Sequence, residues 1–95
     1  MRTVHKFLLA PVGHKQPVML PVGAHYLRID NKYGSPYLWA LVDTSLPFTT
    51  QHEFLVLGTG DPVPDGFWPV NSFFEHQGNA MEWHGFARLP GGAHV

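Results

Sequence analysis

Seven histidines, His5, His14, His25, His52, His76, His84 and His94, are the side chains in this sequence best suited to bind a metal or move a proton. A zinc site needs three or four ligands converging at about 2.0–2.2 Å, and short-spaced pairs usually supply them. No HxH, HExxH or HxxxH pair is present, and His76 and His84 would meet only across a hairpin that turns them to opposite faces. A metal-dependent hydrolase would have to assemble its ligands from distant strands. Cysteine is absent, which removes thiolate catalysis, cysteine-type zinc sites and disulfides together. No cofactor or metal is expected. The histidines read as surface or internally satisfied groups, with a proton-sensitive interface as the remaining use.

The run Gly58-Thr59-Gly60-Asp61-Pro62-Val63-Pro64-Asp65-Gly66 invites comparison with a phosphate cradle. It lacks the lysine and hydroxyl of GxxxxGK[ST] and the spacing of GxGxxG, and its prolines remove two backbone donors. It reads as a loop fixed by glycine dihedrals and proline rigidity. Gly58, Thr59, Gly60, Asp61, Pro62 and Pro64 are its candidate recognition residues, able to close a small-molecule or nucleotide pocket. Asp61 with Asp65, or Glu75 with Glu82, could act as paired carboxylates only across a substrate cleft, at about 5–9.5 Å. Ser45 or Ser72 can be matched on paper with a histidine and Asp43, but no GxSxG elbow is present. No catalytic residues are assigned.

Six Lys and Arg stand against seven Asp and Glu, and the cations Arg2, Lys6, Lys15, Arg28, Lys32 and Arg88 are scattered singly. Binding to a phosphate backbone needs such charges clustered, so nucleic acid is disfavoured as a partner. Low net charge gives little repulsion between copies and leaves self-association open. No secretory h-region and no apolar run of spanning length occurs, so a soluble, cytoplasmic protein is expected.

Nine prolines and ten glycines in 95 residues punctuate the chain too often for long helices. The runs between them are rich in Val, Leu, Tyr, Phe and Trp. Strands are expected over 3–9, 24–31, 36–43, 51–57, 70–76 and 80–89, with a short apolar piece at 18–20 between the first two. A two-residue turn at Tyr33-Gly34 puts Ile29 opposite Leu38, Leu27 opposite Ala40, Arg28 opposite Trp39 and Tyr26 opposite Leu41. It asks an unfavourable positive φ of Tyr33, and a longer turn centred on Gly34 is the alternative. The unbroken apolar run 37–42 marks a central strand covered on both sides. A turn at Gly78-Asn79 puts Phe74 opposite Trp83 and His76 opposite Met81. Met81, Trp83, Gly85, Ala87 and Leu89 then form a core face, and Glu82, His84, Phe86 and Arg88 the other side.

About six short strands predict an all-β fold, a small antiparallel sheet curled into a barrel or a two-layer sandwich. Residues 1–89 form the domain and 90–95 a flexible tail. Aromatic side chains exceed what one small core hides, and Phe73 and Phe86 fall outside the core face. They belong either to a second layer or to a subunit interface made with Glu82, His84 and Arg88.

Lys6-Phe7-x-Leu9, Leu20-Pro21-x-Gly23-Ala24, Leu38-Trp39-Ala40-Leu41-Val42-Asp43, Gly58-Thr59-Gly60 with Pro62-x-Pro64, and Trp83-His84-Gly85-Phe86 resemble a family of small uncharacterised domains encoded by bacteriophages and bacteria. The resemblance spans roughly residues 4–88. Histidine often follows Gly-Thr-Gly in that pattern, whereas this chain has Asp61, which weakens a histidine-based role for the loop. The resemblance implies a phage-associated accessory protein. The expected function is a non-enzymatic accessory or protein-interaction domain, either self-associating or bound to a host or phage protein.

Overall fold

The structure is a computed structural model, which describes residues 1–75 and 81–89. Seven strands form: β1 (Arg2–Leu8), β2 (Gln16–Leu20), β3 (His25–Lys32), β4 (Ser35–Asp43), β5 (Thr50–Gly58), β6 (Trp68–Phe74) and β7 (Glu82–Arg88). They make two antiparallel sheets, sheet 1 in the order β1-β4-β3 and sheet 2 in the order β2-β5-β7-β6. The all-β expectation holds, in its sandwich form. Neither sheet closes on itself as a barrel. The expected turn at Gly78-Asn79, the pairing of His76 and the 90–95 tail lie outside the described residues. No described helix is long and apolar enough to cross a membrane.

Alternation buries one side of each sheet. Leu38, Ala40 and Val42 of β4 meet Phe54 and Val56 of β5, with Leu20, Ile29, Phe73 and Ala87 completing the core. The β3–β4 hairpin turns through Tyr33 and Gly34, with φ of 55° and 79°, as a right-twisted ladder requires of a two-residue turn. Ile29 lies opposite Leu38 and Arg28 opposite Trp39, as expected. Leu27 does not lie opposite Ala40. A bulge between Tyr26 and Arg28 leaves Leu27 unpaired and exposed, and sets Tyr26 against Ala40 and His25 against Leu41.

Two further expectations are corrected. β4 is central in sheet 1, but its burial alternates. The strand covered on both sides is β5, where Leu55, Val56 and Leu57 are all buried. In the C-terminal hairpin the pairing slips by one residue, so Phe73, not Phe74, lies opposite Trp83. A one-residue slip exchanges the faces of a strand. Phe73 therefore enters the core and Phe74 is exposed.

The edges of the two sheets meet where β3 lies beside β6. There the Asn71 amide behaves as a piece of backbone. Its Oδ1 accepts from the Ile29 N–H at 2.7 Å and its Nδ2 donates to the Ile29 carbonyl at 2.8 Å. One margin of the sandwich is thereby joined. β1 and β2 form no ladder with each other among the described residues.

Candidate functional site

The 58–66 loop and the outer side of β7 do come together, but they are occupied with each other. Asp61 accepts a hydrogen bond from the Gly58 amide at 2.9 Å, while its own amide donates to the Gly58 carbonyl at 3.2 Å. The loop thus turns back, and Phe67 at its end is buried on Leu55 and Leu57, with Phe86 packed alongside. Phe86 accordingly sits in a second layer of the same chain. Pro62 stays exposed and Pro64 is half-buried. Phe73, expected on the outward side, is in the intersheet core, whereas Glu82 is exposed opposite Phe74.

His84 clasps the loop to the sheet. Its Nε2 meets the Thr59 hydroxyl and its Nδ1 meets the Ser72 hydroxyl, both at 2.7 Å. In a neutral ring one nitrogen donates and the other accepts, and either hydroxyl can complement it. A proton can move along such a chain, but both ring nitrogens face hydroxyls where a nucleophile relay would place a carboxylate on one of them. Arg88 is likewise engaged. Its Nε donates to Glu53 at 2.9 Å and its guanidinium lies 4.6 Å from the Phe67 ring centre. Ser45 and Asp43 bond each other at 2.7 Å, and Glu75 accepts from the Trp83 indole at 3.3 Å. Among the described residues no three His, Cys, Asp or Glu side chains converge as metal ligands.

A second polar pair lies between the sheets. The buried His52 of β5 shares a hydrogen bond between its Nδ1 and the Tyr26 hydroxyl of β3, and both rings pack on Phe54. Burial pushes Tyr26 up to about 12 and His52 below its ordinary 6.5, so Tyr26 keeps its proton and His52 stays neutral. The sign follows from linkage. Below pH 6.5 the unfolded chain takes up a proton at this position that the fold resists, so stability falls as pH drops from there. Thermal melts at about pH 7.5 and about pH 5.5 test this. The double substitution Tyr26→Phe with His52→Phe should flatten the drop. Equal slopes in parent and variant would remove His52 as its source.

The surface that gathers chemistry is the outer side of sheet 1. β4 presents Tyr37, Trp39 and Leu41 there, flanked by Arg2, Val4, Lys6 and Leu8 of β1 and by Arg28, Asp30 and Lys32 of β3. Lys6 Nζ stands 5.1 Å from the Tyr37 ring centre, and the Arg28 guanidinium 4.6 Å from that of Trp39. Four of the six cations share this side with two carboxylates, Asp30 and Asp43. Asp43 also accepts from the Ser45 amide at 3.0 Å. Two cations and five acids remain on sheet 2 and its loops. A chain with a formal charge of only −1 is therefore electrically two-sided.

A family model described as "Domain of unknown function (DUF7352)" matches residues 1–94. The chain belongs to this family. No curated protein and no solved structure matches it. In this DUF7352 domain the cationic side of sheet 1 went unread in the sequence, because Arg2 and Lys6 are separated from Arg28 and Lys32 by two turns and a strand. Only the side-by-side placement of β1, β4 and β3 brings them together. The legible part was the Arg28–Trp39 pair, set by the hairpin register.

Proposed function

We propose that this chain is a non-enzymatic protein-interaction domain whose contact surface is the outer side of sheet 1. One observation carries the reading: four cations, two half-buried aromatic rings and the exposed Val4, Leu8 and Leu27 share one side of a three-stranded sheet. Apolar and aromatic area rimmed by charge is the ordinary anatomy of a protein interface. Trp and Arg are also the residues in which interface energy concentrates. The 58–66 loop and β7 are the weaker candidates, since Thr59, His84, Phe86 and Arg88 already have partners within the chain. The resemblance of the sequence blocks to phage-encoded domains supports an accessory role in a bacteriophage or its host.

The test is differential. Partners captured from host lysate by the parent chain are compared with those captured by Lys6→Glu with Trp39→Ala, and by Thr59→Ala. The expected result is a partner lost by at least about tenfold with the sheet 1 variant and retained by Thr59→Ala, its affinity falling as salt rises. A partner retained by the sheet 1 variant would move the interface elsewhere.

A further inference from the structure

We infer that β1 is a docking edge, where an extended acidic segment of a partner protein pairs its backbone with β1 and sets carboxylates against Arg2 and Lys6. The inference rests on the proposed role of sheet 1 and adds the partner's chemistry and its mode of attachment.

The backbone of β1 supplies the first reason. Leu9 N–H donates to the Pro36 carbonyl and the Met1 carbonyl accepts from Thr44 N–H, both at 2.9 Å. Odd-numbered residues of this strand therefore direct their backbone groups toward β4. Alternation in an antiparallel ladder sends the N–H and C=O of Arg2, Val4, Lys6 and Leu8 the other way. β1 ends its sheet, and among the described residues no strand pairs with that side.

The remaining edges are treated differently. β2 carries Pro17 within its five residues, and proline cannot donate to an added strand. β3 and β6 meet through Asn71. β1 runs seven residues without proline and leaves Val4 51% and Leu8 58% exposed. An edge of that kind is a template for an incoming strand.

Charge selects the occupant. A second copy added along β1 would place two more cations beside Arg2 and Lys6 and no carboxylate from its own β1, so self-pairing is opposed. On the outer side of β1 the order is cation, aliphatic, cation, aliphatic at every second residue. The complementary strand therefore carries acid, apolar, acid, apolar at every second position. A nucleic acid chain would instead need free ring faces to stack upon. Trp39 and Tyr37 already hold Arg28 and Lys6 over theirs.

The probe is the peptide Glu-Thr-Val-Thr-Glu-Thr-Val, titrated into the full chain and followed by backbone amide shifts. Its Lys-for-Glu counterpart and an oligothymidylate serve as the comparison ligands. Saturable binding is expected, with the largest shifts at Arg2, Val4, Lys6 and Leu8, and none with the lysine peptide. Val4→Pro removes an outward donor while leaving the β4 ladder intact, and Lys6→Glu reverses the charge. Each should weaken binding by about tenfold or more. Should Val4→Pro fail to fold, N-methylation of alternate peptide amides tests the same bonds on the parent chain. One of the two methylation patterns should abolish binding. Peptide binding that ignores both Val4→Pro and methylation overturns the edge and leaves the sheet 1 surface standing. Oligothymidylate binding in place of the peptide overturns both. No binding by any probe overturns the edge, and the differential capture above still decides the surface.

Discussion

Gly85→Val is expected to lower stability by on the order of 3 kcal/mol, at the upper end of what overpacking a core costs. Gly85 lies on the inner side of β7, between Val56 of β5 and Asn71 of β6, and it is buried. A Cβ built there would stand 2.6 Å from Ile29 Cδ1 and 3.0 Å from Ile29 Cβ. Ile29 is fully buried, so its side chain has no free space to move into. The need for glycine here is steric: the two sheets approach too closely for any side chain. Gly85→Ala should cost less than Gly85→Val, and less again in an Ile29→Val background, which removes the nearest methyl. Denaturant melts of the four-member cycle measure that coupling. Additivity of the two substitutions would show that Ile29 does not limit the site.

Asn71→Leu is expected to cost about 2–3 kcal/mol, because it strands both backbone groups of Ile29 while keeping a similar volume. Asn71→Asp keeps the acceptor for the Ile29 N–H and turns a carboxylate oxygen toward the Ile29 carbonyl, so it should also destabilise. The decisive measurement is hydrogen exchange at the Ile29 amide. Its protection should fall in Asn71→Leu by more than the global loss of stability explains, and unchanged relative protection would mean that the amide bridge is incidental.

The all-β class was legible in the sequence because prolines and glycines separate short apolar runs. The β3–β4 hairpin was legible down to the Ile29–Leu38 and Arg28–Trp39 pairs, since a two-residue turn at Tyr33-Gly34 sets that register. Tyr26 and Leu27 are both apolar, so nothing local told which of them turns inward and which takes the bulge. Phe73 and Phe74 pose the same ambiguity. The expected turn at Gly78-Asn79 sets Phe74 inward, whereas the ladder sets Phe73 inward, on the same side as the polar Asn71 and Glu75. Each has a partner that only the tertiary structure supplies, the Ile29 backbone for one and the Trp83 indole for the other. The candidate site was less legible than the fold. Loop 58–66 and the 82–88 side chains read as two separate candidates, and nothing local told that Thr59 and His84 bond each other. The basic side of sheet 1 depends on β1 lying against β4, a pairing across more than thirty residues that local pattern does not encode.

Two polar ties between the sheets leave from one strand: the Ile29 backbone to Asn71, and the Tyr26 hydroxyl to His52. β3 is therefore the hasp of the molecule, and the order in which it comes apart follows. The odd-numbered amide protons of β1, bonded to β4 at the margin, should exchange early through local fraying, while those at the centre of the β3–β4 hairpin should wait for global unfolding. A strand that detaches cheaply, beside one that does not, lets an incoming partner remodel the rim without loosening the whole.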